Sequence, residues 1–461
     1  MTSTRRVTPA GRLPAGFRAV WSIARAAAWV FYRVERLGPP LPDGPVLVVA
    51  NHPNALLDPA LVASTAGRPL RFLAKSTLVS GSPISPLIRA AGAIPVHRRH
   101  DPGVDPSKNA EMFAAVGDVL ARGEVVCLFP EGISHSTGHL EPLKTGAARI
   151  ALDAAARGIP VTIVAAGLNF DRKAVFRSRA VVAFGPGFGC AHHVDAYHAD
   201  PPGAVRTLTD EIARHLRDLL VEADPETEAG LVARVDRLYA SARQLPRTAD
   251  AKLARRRVIA AGLDALREKD PERLGRLADH LRAHERRLAR FGLDPRSVGP
   301  AADFGTVIRF TVRETVLALV LLPVAALGLA VFAVPYSAVH AIAGREGISL
   351  DMRATWKIGA GVATYGAWLG LIVTATSLLL GGPAAVAVAI GLPVLAVGSL
   401  LAIERETEVA AAVRSHFLRR RIGPRAAARF RREQEALADL LDETHRWLTA
   451  LEEDAGGDAR A

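Results

Sequence analysis

His52 and Asp58 are the residues of this chain best suited to chemistry. They lie in Val46-Leu-Val-Val-Ala-Asn51-His52-Pro53-Asn54-Ala-Leu-Leu-Asp58-Pro59, where an apolar, β-type run ends in a histidine and a carboxylate follows. An imidazole at a strand end can act as a general base near neutral pH, and a nearby carboxylate can orient it and stabilise its protonated form. The apolar run is the rigid part, because packed strands position a side chain more tightly than loops do. The same residues admit a plainer role, with His52 in a turn and Asp58 capping a helix whose first position is Pro59.

Three further patches carry functional groups where strand-like runs end or a helix begins. Gly92-Ala93-Ile94-Pro95-Val96-His97-Arg98-Arg99 leads straight into arginines, and Arg98 suits a bidentate grip on phosphate. Val125-Val-Cys-Leu-Phe129-Pro130-Glu131-Gly132-Ile133-Ser134 runs into a tight turn, where Gly132 lets backbone approach a ligand and Glu131 projects at the sheet edge. Glu131 can hydrogen-bond a polyol hydroxyl or orient a cation, or it can be a turn carboxylate. Leu143-Lys144-Thr145-Gly146 opens a helix, so Lys144 is either a surface lysine or an anion ligand beside a helix N-terminus.

The elements that must position these groups alternate. Strand-like runs at 46–50, 71–74, 93–96, 125–129, 161–168 and 180–184 are separated by helix-like segments at 59–66, 85–91, 109–122 and 143–156. This is an α/β pattern, and His52, Arg98, Glu131 and Asn169 stand at its strand ends, where open α/β sheets place ligands. The expected layout is an N-terminal helix within 1–40, a mixed sheet flanked by helices over 41–225, a charged helical region over 226–305, apolar helices over 306–405 and a basic helical tail over 406–461. The helix from about 17 to 34 interleaves aromatics with Arg18, Arg25 and Arg33, which fits a membrane interface or a helix packed on the next domain. Apolar runs at 315–342, 358–380 and 383–403 are each long enough to cross a bilayer. Pro323 and Pro335 interrupt the first. Arg309 and Arg313 before these runs, and the arginine-rich tail after them, both favour the cytoplasmic side. Three full crossings cannot satisfy both, so an even number with one re-entrant or interfacial segment is expected.

With 461 residues the chain exceeds one compact core, and its formal charge of +12 points to anionic partners: phosphorylated substrates, acidic headgroups or nucleic acid. Aromatics at 5% disfavour base stacking on single-stranded nucleic acid. Cys127 and Cys190 show neither metal spacing nor a disulfide framework. His192-His193-Val-Asp195-Ala-Tyr-His198 matches no standard zinc pattern, so no metal is expected. Gly-x-Ser-x-Gly and Gly-x-x-x-x-Gly-Lys-Ser/Thr are absent, which removes the motifs of serine hydrolases and P-loop enzymes. The first thirty residues are basic without an uninterrupted apolar core, so a cleaved signal peptide is not expected.

In order, His52–Asp58, Gly92–Arg98 and Phe129–Gly132, with a weaker fourth block at Ile159-Pro160-Val161 to Asn169, resemble the four blocks of the glycerolipid (lysophospholipid) acyltransferase family. Five residues separate His52 from Asp58 where the family usually has four. The longer form looks like the microsomal-type glycerol-3-phosphate and dihydroxyacetone-phosphate acyltransferases. His97 replaces a commoner acidic residue or Tyr, and the fourth block lacks the usual Val-Pro-Val strand, so no site residue is expected there.

The resemblance implies an α/β acyltransferase domain in a membrane-integral protein, catalytic side cytoplasmic. The donor would be an acyl thioester (acyl-CoA or acyl-carrier protein) and the acceptor a phosphorylated glycerol-type molecule, with membrane lipids as neighbours and neither cofactor nor nucleic acid. His52 and Asp58 would be catalytic. Arg98, Glu131, Gly132 and Lys144 would bind substrate, with a backbone N–H near Gly132 facing the oxyanion. A lysolipid acceptor, or a non-catalytic lipid-binding scaffold, are the alternatives. A His52–Asp58 separation far beyond hydrogen-bond reach would favour the scaffold.

Overall fold

The computed structural model describes residues 14–82, 84–97, 109–223, 229–293, 295, 304–343 and 350–458. Arg98 therefore lies outside the described residues. The chain divides into two compact units, one of residues 1–225 with 348–355, the other of 226–347 with 356–461.

The first unit runs α1 (Ala15–Phe31), β1 (Tyr32–Leu37), β2 (Val46–Ala50), α2 (Leu57–Thr65), β3 (Leu70–Lys75), α3 (Ser76–Ser80), α4 (Ser85–Ala90), β4 (Ile94–Val96), α5 (Asn109–Ala121) and β5 (Val125–Leu128). It continues with α6 (Gly146–Ala156), β6 (Thr162–Phe170), β7 (Ser178–Phe184), β8 (Phe188–Gly189), α7 (Val194–Ala199) and α8 (Pro201–Arg217). The strands make one mixed sheet in the order β1-β7-β6-β2-β5-β3-β4, with β8 added to β6. β2 is parallel to both β5 and β6, and β3 is parallel to β4 and β5. β7 and β8 run antiparallel to β6. Every residue of β2 and β5 is buried, the mark of strands covered on both faces, and their aliphatic runs supply that burial. One large core joins the sheet to α5, α6 and α8 through Val116, Leu120, Leu152, Leu208 and Ile212.

The helix expected from about 17 to 34 stops at Phe31. Tyr32 turns extended and opens β1, whose Tyr32 and Val34 alternate inward while the strand pairs with β7. The sheet thus recruits chain ahead of residue 41. α1 takes the packed role of the two its sequence allowed. Phe17, Ala28 and Phe31 are buried, while Ile23 at 60% and Trp29 at 46% remain exposed.

The second unit comprises α9 (Ala229–Ala242), α10 (Ala249–Lys269), α11 (Pro271–Arg290), α12 (Phe304–Ala343), α13 (Leu350–Leu380) and α14 (Gly382–Asp458), the last kinked at Gly423 with φ 75°. Asp270 caps α11 by accepting from Arg273 N–H at 2.8 Å, with Pro271 at its first position. α9, α10, α11 and the segment of α14 beyond the kink pack as a bundle around Val235, Leu238, Leu281, Ile259, Leu437 and Leu441. Tyr239 donates to Asp442 at 2.6 Å across it. The basic tail is therefore not a separate element, because its aliphatic stripe completes the charged helical region.

Segments Val312–Ile342, Thr355–Leu380 and Gly382–Thr407 are long and apolar enough to cross a membrane. Pro323 and Pro335 lie inside α12 without ending it, as membrane helices tolerate. α12 and α14 pack antiparallel. Arg405 reaches Glu314 at 2.6 Å, and a Cβ on Gly328 would lie 2.2 Å from the Ser399 side chain, so only glycine allows that approach.

Candidate active site

β2 and β5 are adjacent and parallel, so the loops after Ala50 and Leu128 leave the same sheet edge. Three hydrogen bonds fasten these loops together. His52 N–H donates to Glu131 Oε1 at 2.6 Å, His135 N–H donates to the His52 carbonyl at 3.2 Å, and Ala55 N–H donates to Ser134 Oγ at 2.9 Å. The imidazole of His52 stacks on Phe129, centroids 4.2 Å apart. Its backbone and its ring are both set by the β5 loop.

Asp58 Oδ2 lies 2.8 Å from His52 Nδ1 and also accepts the Asn54 N–H at 2.7 Å. Among the described residues the other ring nitrogen, Nε2, has no hydrogen-bond partner, and the His52 side chain is 16% exposed against 0% for Asp58. Burial pushes the Asp58 carboxyl above its ordinary value, opposed by the hydrogen bond and charge of His52. Asp58 is not the helix cap its sequence allowed. α2 begins at Leu57, one residue earlier, and the carboxylate points back to His52 and Asn54. Between His52 and Asp58, Ala55 takes a left-handed φ of 44°.

Glu131 was expected to position a ligand directly. Instead it is 2% exposed and holds protein groups: His52 N–H, the His135 imidazole and, at 2.9 Å, Glu141 N–H. A carboxylate suits this because all three neighbours can donate. Gly132 N–H is directed to the Phe129 carbonyl at 3.0 Å, which removes it as an oxyanion donor. Gly132 itself takes φ 76°, and a Cβ there would meet Lys144 Cγ at 3.3 Å. Lys144, exposed, donates its N–H to Pro130 at 2.7 Å and thereby lies over the same turn, just ahead of α6. β4 runs parallel to β3 toward this edge, and Asn109 clamps the backbone of His97 at both N–H (3.0 Å) and C=O (2.8 Å). Asn169 is structural, accepting Val221 N–H at 2.8 Å and donating to Leu219 at 2.9 Å.

Sequence reasoning missed Tyr32 and Asn54. Asn54 is fully buried and donates to Tyr32 Oη at 2.7 Å, and Tyr32 donates to the Lys173 carbonyl. Away from this site the fold adds Glu211 to the histidine cluster, bringing ligand atoms of His192, His193 and Glu211 within 4.8 Å of one another. His193 and Glu211 form an ion pair at 3.0 Å.

The described residues thus set a buried carboxylate behind a histidine at the edge of a mixed α/β sheet. Residues 32–165 match the family described as Acyltransferase. Glycerol-3-phosphate O-acyltransferase 1 of Saccharomyces cerevisiae is 33% identical over 133 residues, 28% of this chain and 18% of that protein. Glycerol-3-phosphate O-acyltransferase 2 of the same yeast is 28% identical over 272 residues, 54% of this chain and 36% of that protein. A 1-acyl-sn-glycerol-3-phosphate acyltransferase of Neisseria meningitidis serogroup B is 32% identical over 149 residues, 32% of this chain and 55% of that protein. The chain thus spans well under two thirds of each of these relatives.

Proposed function

We propose that the protein is a membrane-bound glycerolipid acyltransferase that moves a fatty acyl group from an acyl thioester to glycerol-3-phosphate or dihydroxyacetone phosphate. The observation that carries this reading is the 2.8 Å contact between His52 Nδ1 and the buried Asp58, with Nε2 left without a hydrogen-bond partner among the described residues. Nε2 takes the acceptor's hydroxyl proton, and the oxygen attacks the thioester carbonyl, forming the C–O bond and a tetrahedral oxyanion. Collapse breaks the C–S bond, and the departing sulfur takes the proton from the His52 imidazolium. Asp58 fixes the tautomer and stabilises that cation, a division of labour known from serine-protease triads. Arg98, adjacent in sequence to the clamped His97, and Lys144 hold the acceptor phosphate. Glu131 acts through the loops, as a positioning residue for His52.

The intact His52–Asp58 contact weighs against a decayed scaffold. A lysophosphatidate acceptor is the second reading, favoured by the neisserial relative's name and by its larger covered share. Purified membranes offered glycerol-3-phosphate, dihydroxyacetone phosphate and lysophosphatidate in parallel decide between them. Equal, His52-independent transfer to all three would sink the proposal.

The bundle supports the membrane topology. α9–α11 precede the apolar helices and the end of α14 follows them, yet all four pack together. Chain ends that share one water-facing bundle lie on one side, so the crossings between them are even in number. The antiparallel α12 and α14 are the pair that fits. In this reading the arginines flanking both face the cytoplasm.

A further inference from the structure

The loop between β5 and α6 holds His52 at both its backbone N–H and its carbonyl. The N–H donates to Glu131 Oε1 at 2.6 Å, and the carbonyl accepts the His135 N–H at 3.2 Å. These two contacts meet in one side chain. The ring of His135 turns back across a single turn, and its Nε2 meets the second oxygen of Glu131. Glu131 thus joins the His52 N–H to the His135 ring, and His135 returns to the His52 carbonyl through its own N–H. The three residues close a circuit of hydrogen bonds around the backbone of the base.

Burial explains why the circuit needs the ring. The Glu131 side chain is closed off from solvent, and a buried carboxylate is costly wherever its lone pairs go unserved. Peptide N–H groups of His52 and Glu141 serve it at 2.6 Å and 2.9 Å, and the imidazole is the third neighbour. With two donors already aimed at the carboxylate, the ring donates as well, which assigns the proton to Nε2. Nδ1 faces the other way, 2.6 Å from the Thr137 hydroxyl. Both ring nitrogens are therefore engaged by protein, and the side chain is only 12% exposed. No ring nitrogen of His135 is left over for a substrate.

We propose that His135 is a positioning residue for the general base: its ring N–H holds Glu131 and its peptide N–H holds the His52 carbonyl, which together fix the backbone that carries the His52 ring. Asp58 and Phe129 set the direction of that ring, by the 2.8 Å contact at Nδ1 and by stacking at 4.2 Å. The Glu131–His135 circuit sets where the ring starts. The role rests on the general-base reading above. A residue that acts in this way is felt in turnover and not in acceptor binding.

Substitutions in the full-length protein separate the ring's donor from its bulk. A glutamine amide nitrogen lies as many bonds from Cβ as Nε2 does, whereas that of asparagine reaches only as far as Nδ1. His135→Gln therefore keeps kcat within about threefold of the parent, while His135→Asn and His135→Leu lower it by about tenfold to a hundredfold, with the acceptor KM within about twofold. Adding Glu131→Gln to His135→Leu costs no more than the larger single substitution, because both break one circuit. Hydrogen–deuterium exchange reads the same contacts without turnover. Residues 51–57 exchange about tenfold faster in the Asn and Leu variants, residues 46–50 stay as in the parent, and the Gln variant matches the parent in both. Parental kcat and exchange in every variant overturn the proposal, as does a loss in Gln as large as in Leu, or a raised acceptor KM at unchanged kcat. If His135→Leu does not fold, the Gln and Asn variants, which differ by one methylene, still decide. The expected order of exchange in a chain that acylates no acceptor would retire the acyl-transfer reading and leave the His135 circuit standing.

Discussion

Glu131→Gln separates a residue that touches substrate from one that holds the loops. The parental carboxylate accepts from His52 N–H at 2.6 Å, from Glu141 N–H at 2.9 Å and from the His135 imidazole. A glutamine side chain has one oxygen, so in either orientation its NH2 group faces a backbone N–H. One buried donor then loses its acceptor, at a cost of about 1–3 kcal/mol, and the remaining bonds lose their charge assistance. In a domain of roughly 200 residues about 1 kcal/mol moves Tm by about 2–4 °C, so a fall of about 4–8 °C is expected. His52 is fixed through two of the loop contacts, and a shift of about 1 Å in a reacting group can lower turnover by about a hundredfold. The acceptor KM should stay within about twofold, because a residue that acts only through the loops leaves ground-state binding unchanged. Thermal unfolding of detergent-solubilised protein and steady-state kinetics with varied acceptor check both halves. An unchanged Tm together with a tenfold higher acceptor KM would refute the clamp and return Glu131 to the substrate.

His52→Ala should lower turnover by about 10² to 10⁴ while membrane association persists, and retained turnover in purified protein would remove the general base. Asp58→Asn should lower turnover by about 10³ to 10⁴ without loss of stability. Burial raises the native Asp58 carboxyl above its unfolded value, so the folded state binds that proton more tightly. The group's stabilisation is thus present at low pH and is lost as pH rises from the ordinary carboxylate value through the raised one. An amide has no such loss, and a lower Tm than the parent at neutral pH would contradict this sign. Single cysteines at Arg309 and Arg425 should react with an impermeant maleimide from the same face of sealed vesicles, and labelling from opposite faces would exclude an even number of crossings. Arg98→Ala should raise the acceptor KM at least tenfold, and an unchanged KM would take Arg98 out of the phosphate site.

The strands and the His–Asp pair were legible because local pattern determines them: β2 and β5 are short aliphatic runs, and both end at residues with obvious chemistry. β1 was not, because Tyr32-Arg-Val-Glu-Arg-Leu continues an aromatic and arginine pattern that also fits a helix, and only pairing with β7 selects the strand. Glu131 was misread because two of its partners are backbone N–H groups, which no side-chain motif reports. The Asn54–Tyr32–Lys173 relay joins residues far apart in sequence and carries no spacing at all. The long gap between His52 and Asp58, read from sequence as a sign of acceptor choice, leaves the two side chains in contact. Ala55 lies in that gap at φ 44°, and the Nδ1–Oδ2 contact is an ordinary 2.8 Å. We expect acceptor preference to follow two cationic side chains: exchanging Lys144 or Arg98 should move the acceptor KM, whereas Ala55→Gly, which suits a positive φ, should leave it within about twofold. A large change in acceptor preference on Ala55→Gly would show that the loop itself reads the acceptor.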